Sequence, residues 1–102
     1  MEFEAELWQH EGEGGWCFVT LPAAAAEEVR EQAPPPTGFG AVRVAVVVGE
    51  SRWQTSLFPD KKRGSYLLPV KQQVRRANDL LPGDRVRVSL TVASVPPSAS
   101  RT

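Results

Sequence analysis

The sequence predicts a mainly β protein, a small closed six-stranded β-barrel with two short α-helices. Three observations carry this. The chain has 102 residues, room for one domain around one core. Six short stretches alternate apolar with polar residues or are rich in β-branched and aromatic ones, the pattern of strands with a buried face. Gly- and Pro-rich turns separate them, and closing the set into a barrel removes edges that would otherwise pair with other chains.

The elements follow in order. Glu2-Phe3-Glu4-Ala5-Glu6-Leu7-Trp8 alternates strictly, with Phe3, Ala5 and Leu7 inward, the glutamates in water and Trp8 off the inward set. Gly12-Glu13-Gly14-Gly15 is turn chemistry, so Trp16–Leu21 returns as the second arm of a hairpin. Pro22 opens a helix over Ala23–Gln32, because its missing N–H costs nothing in a first turn. Pro34-Pro35-Pro36-Thr37-Gly38 ends that helix. Phe39–Val48 is the third strand, with Val42, Val44, Val46 and Val48 on one face. After Gly49-Glu50-Ser51 the fourth strand runs over Arg52–Phe58, with Trp53, Thr55 and Leu57 on one face. A charged loop, Pro59–Gly64, leads to a short fifth strand, Ser65–Val70. Lys71–Ala77 reads as a two-turn helix with Val74 and Ala77 inward and Arg75 and Arg76 outward. Asn78-Asp79 offers left-handed C-terminal geometry. Pro82-Gly83-Asp84 turns into the last strand, Arg85–Val95, with Val86, Val88, Leu90 and Val92 inward. Residues 1–95 thus form the single barrel domain, and 96–102 are read as a flexible polar tail.

Composition bounds the function classes. Cys17 is the only cysteine, which excludes an intrachain disulfide. The longest apolar runs, Ala23–Ala26 and Ala45–Val48, fall far short of the roughly 20 residues of a membrane span. Met1–Glu6 lacks the basic and apolar regions of a signal peptide. The expectation is a soluble cytoplasmic protein without membrane association, a monomer or weak dimer. Twelve bases balance twelve acids, which removes the simplest argument for nucleic-acid binding. The balance is uneven along the chain. Residues 1–31 hold eight acids and one base, a net of −7, and residues 32–102 hold eleven bases and four acids, a net of +7.

Four runs taken together carry a family resemblance. They are Ser56-Leu57-Phe58-Pro59, then Gly64-Ser65-Tyr66-Leu67-Leu68-Pro69-Val70-Lys71, then Val74-Arg75-Arg76-Ala77, then Gly83 through Leu90. With Phe3–Trp8, Trp16–Pro22 and Gly40–Val48 in the same order ahead of them, the chain resembles the domain of unknown function 1905 family over about residues 3–93. The resemblance implies a small closed β-barrel with no established catalytic activity, in a domain sometimes joined to others. Two departures stand out: a more basic loop at 60–63, and Asn78-Asp79 where the pattern has a glycine. The segment Tyr66–Leu90 also resembles, more loosely, swapped-hairpin regulators of the antitoxin and transition-state type. That likeness implies a dimeric DNA-binding barrel.

No catalytic constellation is visible. His10 is the only histidine and reads as a solvated loop residue, and Cys17 reads as a small buried hydrophobe. One His, one Cys and dispersed acids do not make a metal site. The glycine cluster lacks the Lys-Ser/Thr of a phosphate loop. The reading is a non-enzymatic protein with no cofactor and no metal. The basic group Lys61, Lys62, Arg63, Lys71, Arg75 and Arg76 straddles the fifth strand. If loop and helix meet at one barrel mouth, these residues with Tyr66 and Trp53 form a cationic, partly aromatic site for a small anionic ligand or an acidic protein segment. The plainer reading is a solvated helix face and a solvated loop. Nucleic acid is the alternative partner. A third reading is an interaction domain with no small ligand, marked by an exposed patch around Trp8. The three tryptophans otherwise read as core.

Overall fold

The computed structural model describes residues 1–12, 14–33 and 40–93. Its strands are β1 (Glu2–Gln9), β2 (Cys17–Thr20), β3 (Val42–Val48), β4 (Ser51–Asp60), β5 (Ser65–Pro69) and β6 (Arg85–Val92). Helix α1 (Ala23–Gln32) joins β2 to β3, and α2 (Gln72–Ala77) joins β5 to β6. The strands close into a barrel in the order β1-β2-β5-β4-β3-β6, every pair antiparallel. The expected fold, six strands in a closed barrel with two short helices, is what forms.

Alternation places the core. Leu7, Cys17, Val19, Leu57, Leu68 and Val70 meet the valines of β3 and β6 inside the barrel, all buried. The glutamates of β1 lie outside against the arginines of β6. Arg87 contacts Glu2 at 2.8 Å and Glu4 at 3.6 Å, and Arg85 contacts Glu4 at 3.4 Å. The acidic start and basic end of the chain therefore cancel across one strand pair. Helix α1 buries Ala25, Ala26 and Val29. Its Arg30 donates to the Gly64 carbonyl in the β4–β5 turn. None of the described helices is long and apolar enough to cross a membrane.

Several boundaries move. Strand β4 continues through Pro59 and Asp60, which the sequence places in a loop. Strand β2 begins at Cys17 and leaves Trp16 outside it, 61% exposed. The reading of Trp16 as core is thus corrected: Cys17, Val19 and Leu21 are the inward set, and strand parity puts Trp16 and Phe18 on the outside. In α2 only Val74 is buried; Ala77 is exposed at the helix end and Arg75 is half-buried. Trp8 is half-buried rather than a bare patch. Its indole N–H donates to Thr20 Oγ1 at 2.9 Å, its ring sits 5.3 Å from that of Phe18, and the Arg63 guanidinium lies 5.5 Å above it. The 34–39 segment and the 96–102 tail fall outside the described residues.

The turn after α2 keeps glycine-like geometry without glycine. Asp79 has φ 54°, the one positive φ among described non-glycine residues. Leu80 N–H bonds back to the Arg75 carbonyl at 2.8 Å and Asp79 N–H to the Arg76 carbonyl at 3.4 Å, the two reverse bonds of a left-handed helix cap.

Candidate functional site

One seam of the barrel is short. Strands β4 and β5 pair only over Phe58↔Leu67, Pro59↔Tyr66 and Asp60↔Ser65. Beyond Phe58, the rest of β4 pairs with β3 alone, while Leu68 and Pro69 pair with β2 alone. The cause lies in the sequence. Leu21 N–H bonds to the Tyr66 carbonyl and Val70 N–H to the Cys17 carbonyl, each at 3.0 Å. The even-numbered residues of β5 therefore turn their backbone groups to β2, and Leu67 and Pro69 turn theirs to β4. The next ladder rung would need a donor from Pro69, and proline has none. The two strands part there.

A groove of about 970 Å³ fills the parting. Its walls are Trp53, Gln54, Thr55 and Phe58 from β4, Leu67, Pro69 and Val70 from β5, and Trp16, Cys17 and Phe18 from β2. Lys71, Gln72 and Arg75 close its end at the start of α2. Two exposed large apolar residues, Trp16 and Phe58 (47% exposed), belong to this groove. No described acidic side chain lines it. Arg75 is held by its own Nε–H, which donates to the Val70 carbonyl at 3.1 Å. Among the described residues no carboxylate pairs with Lys71, Arg75 or Arg76. Cys17 is buried, its thiol donating to the Gly15 carbonyl at 3.6 Å.

The six bases of the sequence reading do not converge at one mouth. The turn carrying Lys61, Lys62 and Arg63 precedes β5, and Lys71 and α2 follow it. The five residues of β5 hold the two groups apart by roughly 16 Å of extended chain. Lys61, Lys62 and Arg63 line a separate hollow of about 430 Å³ with Trp8, His10 and Asp60. There Arg63 is engaged by Asp60 at 2.6 Å. That bond holds the Asp60 carboxyl below its ordinary value of 3.8. Trp53 joins Lys71 and Arg75 at the groove. Tyr66 packs against the core, Arg76 is exposed, and neither lines the groove or the hollow.

A family model described as a domain of unknown function, DUF1905, matches residues 3–90. The chain belongs to the DUF1905 family. No curated protein matches the sequence. In this DUF1905 chain the barrel closes within one polypeptide, and β5 and β6 are not neighbours. Among the described residues no three His, Cys, Asp or Glu side chains gather as metal ligands would. The aromatic groove residues missed by sequence reasoning are Trp16, Phe18 and Phe58. The parity of β2 carried the signal for the first two, and Pro69 carried the signal for the seam itself.

Proposed function

We propose that this DUF1905 barrel is a binding module whose β4–β5 groove takes an anionic ligand with an apolar body. The single observation that carries the reading is the pairing of opposites in one concavity. Lys71 and Arg75 stand without described carboxylate partners at the end of a groove whose apolar walls include Trp16, Phe18, Trp53, Phe58 and Pro69. A groove of this volume matches the upper range of small-molecule sites, which combine apolar walls with a few placed polar groups. The Val70 carbonyl occupies Arg75 Nε and leaves the terminal nitrogens for a carboxylate or phosphate. Trp16 and Trp53 offer flat faces for the apolar body.

Titration of aromatic carboxylates and aryl phosphates, followed by tryptophan fluorescence, tests the reading. Binding should weaken at least tenfold in Arg75→Ala, about 1.4 kcal/mol. It should weaken much less in Arg76→Ala, which lies off the groove. Equal effects of the two variants, or no saturable binding across the panel, would sink it.

A further inference from the structure

The seam is a backbone edge as well as a side-chain groove. Ala93 N–H bonds to the Arg43 carbonyl at 2.9 Å, so the odd-numbered residues of β3 turn their backbone groups to β6. The even ones, Val42, Val44 and Val46, turn theirs to their β4 partners Leu57, Thr55 and Trp53. Gln54 and Ser56, between those partners, therefore aim their N–H and C=O groups into the seam. The β5 side gives the same parity, since Phe58 pairs with Leu67 across it. Neither Gln54 nor Ser56 is paired with β5 across it.

We infer that the occupant of the groove is an extended acidic peptide segment that adds to β4 as a strand in the place β5 vacates. This rests on the groove reading above and names its ligand class. Added strands draw affinity from main-chain hydrogen bonds and specificity from pockets for alternate side chains. The open stretch of β4, from Arg52 to Leu57, offers roughly 20 Å of edge. The direction follows from the charges. A segment antiparallel to β4 runs the same way as β5, and β5 leads into Lys71 and α2. Its C-terminal end therefore reaches Lys71 and Arg75, which calls for an Asp or Glu side chain there. Its apolar side chains meet Trp16 and Phe58.

The test uses the full chain and an array of acetylated, amidated seven-residue peptides, so that no terminal carboxylate contributes. Peptides that bind should alternate apolar residues and carry Asp or Glu near the C-terminal end. The best of them should slow hydrogen exchange at the Gln54 and Ser56 amides at least tenfold. Methylating its edge-facing amide nitrogens should weaken it at least tenfold, as should Arg75→Ala. An array without binders, or a bound peptide that leaves both amides exchanging at the free rate, overturns the inference. If aromatic carboxylates still bind through Arg75 in that event, the groove reading stands and only its peptide occupant falls. If neither class binds, both fall.

Discussion

Asp60 shows how a single residue ties charge to an aromatic face. Its carboxylate holds the Arg63 guanidinium at 2.6 Å and accepts from Lys62 N–H at 3.2 Å. Arg63 in turn lies over Trp8, a cation–π contact. The bond from Arg63 is the main cause of the lowered Asp60 value. A carboxyl lowered by folding contributes stability above its unfolded value, and that contribution is lost as pH falls through the lower folded one. The Trp8 indole and Arg63 side-chain resonances should therefore share an acid transition whose midpoint lies below 3.8. In Asp60→Asn that coupled acid transition should vanish while the fold persists. A transition of unchanged midpoint in the variant would show that another group releases Arg63.

At the scale of elements, one side chain ties the end of α2 to the barrel. Asn78 donates to Ser51 Oγ at 3.0 Å and to the Val74 carbonyl at 2.9 Å, and accepts from Glu50 N–H at 3.4 Å. It clamps the helix end to the β3–β4 hairpin. Gly49 makes room for it: its φ is 55°, and an added Cβ would run into the Asn78 amide. Replacing Asn78 by Ala removes these three side-chain hydrogen bonds and should cost about 1–3 kcal/mol in urea unfolding. Asp79→Gly should act in the opposite direction, stabilising by up to about 1 kcal/mol, because glycine holds positive φ without steric penalty. Loss of stability in Asp79→Gly would mean that its side chain supports the turn in another way. The same elements show what was legible beforehand. The valine alternation of β3 and β6 placed their inward faces, and Asn78-Asp79 announced its turn. The seam was harder to read, because the partners of β4 and β5 lie far apart in sequence and strand pairing is a long-range choice. Pro69 marked a missing donor without saying which neighbour would lose it. Arg75, placed outward by helical spacing, is drawn half inside because the Val70 carbonyl accepts its Nε–H.

For the whole molecule, folding rearranges the charge that the chain lays out as −7 followed by +7. Pairing β1 with β6 sets Glu2 and Glu4 against Arg85 and Arg87. The Glu2 bond raises the Arg87 value further still, so these arginines are committed to the barrel wall. The positive groups left on either side of β5 are Lys61 and Lys62 at one end and Lys71, Arg75 and Arg76 at the other. This division separates the two partner classes by salt dependence. A duplex DNA held by all six bases of the sequence reading would bind with a log–log salt slope of roughly −5. An anion held by Lys71 and Arg75 alone should show a slope no steeper than about −2. Affinity for an aromatic carboxylate, measured from 50 to 300 mM salt, should accordingly fall by no more than about 40-fold, against several-thousand-fold for the duplex. Duplex DNA should gain nothing from added length, since the break between the two basic groups interrupts any continuous track. A steep slope abolished jointly by Lys61→Ala and Arg75→Ala would instead mean that one polyanion spans both ends of β5, and the groove would then be a fragment of a larger nucleic-acid surface.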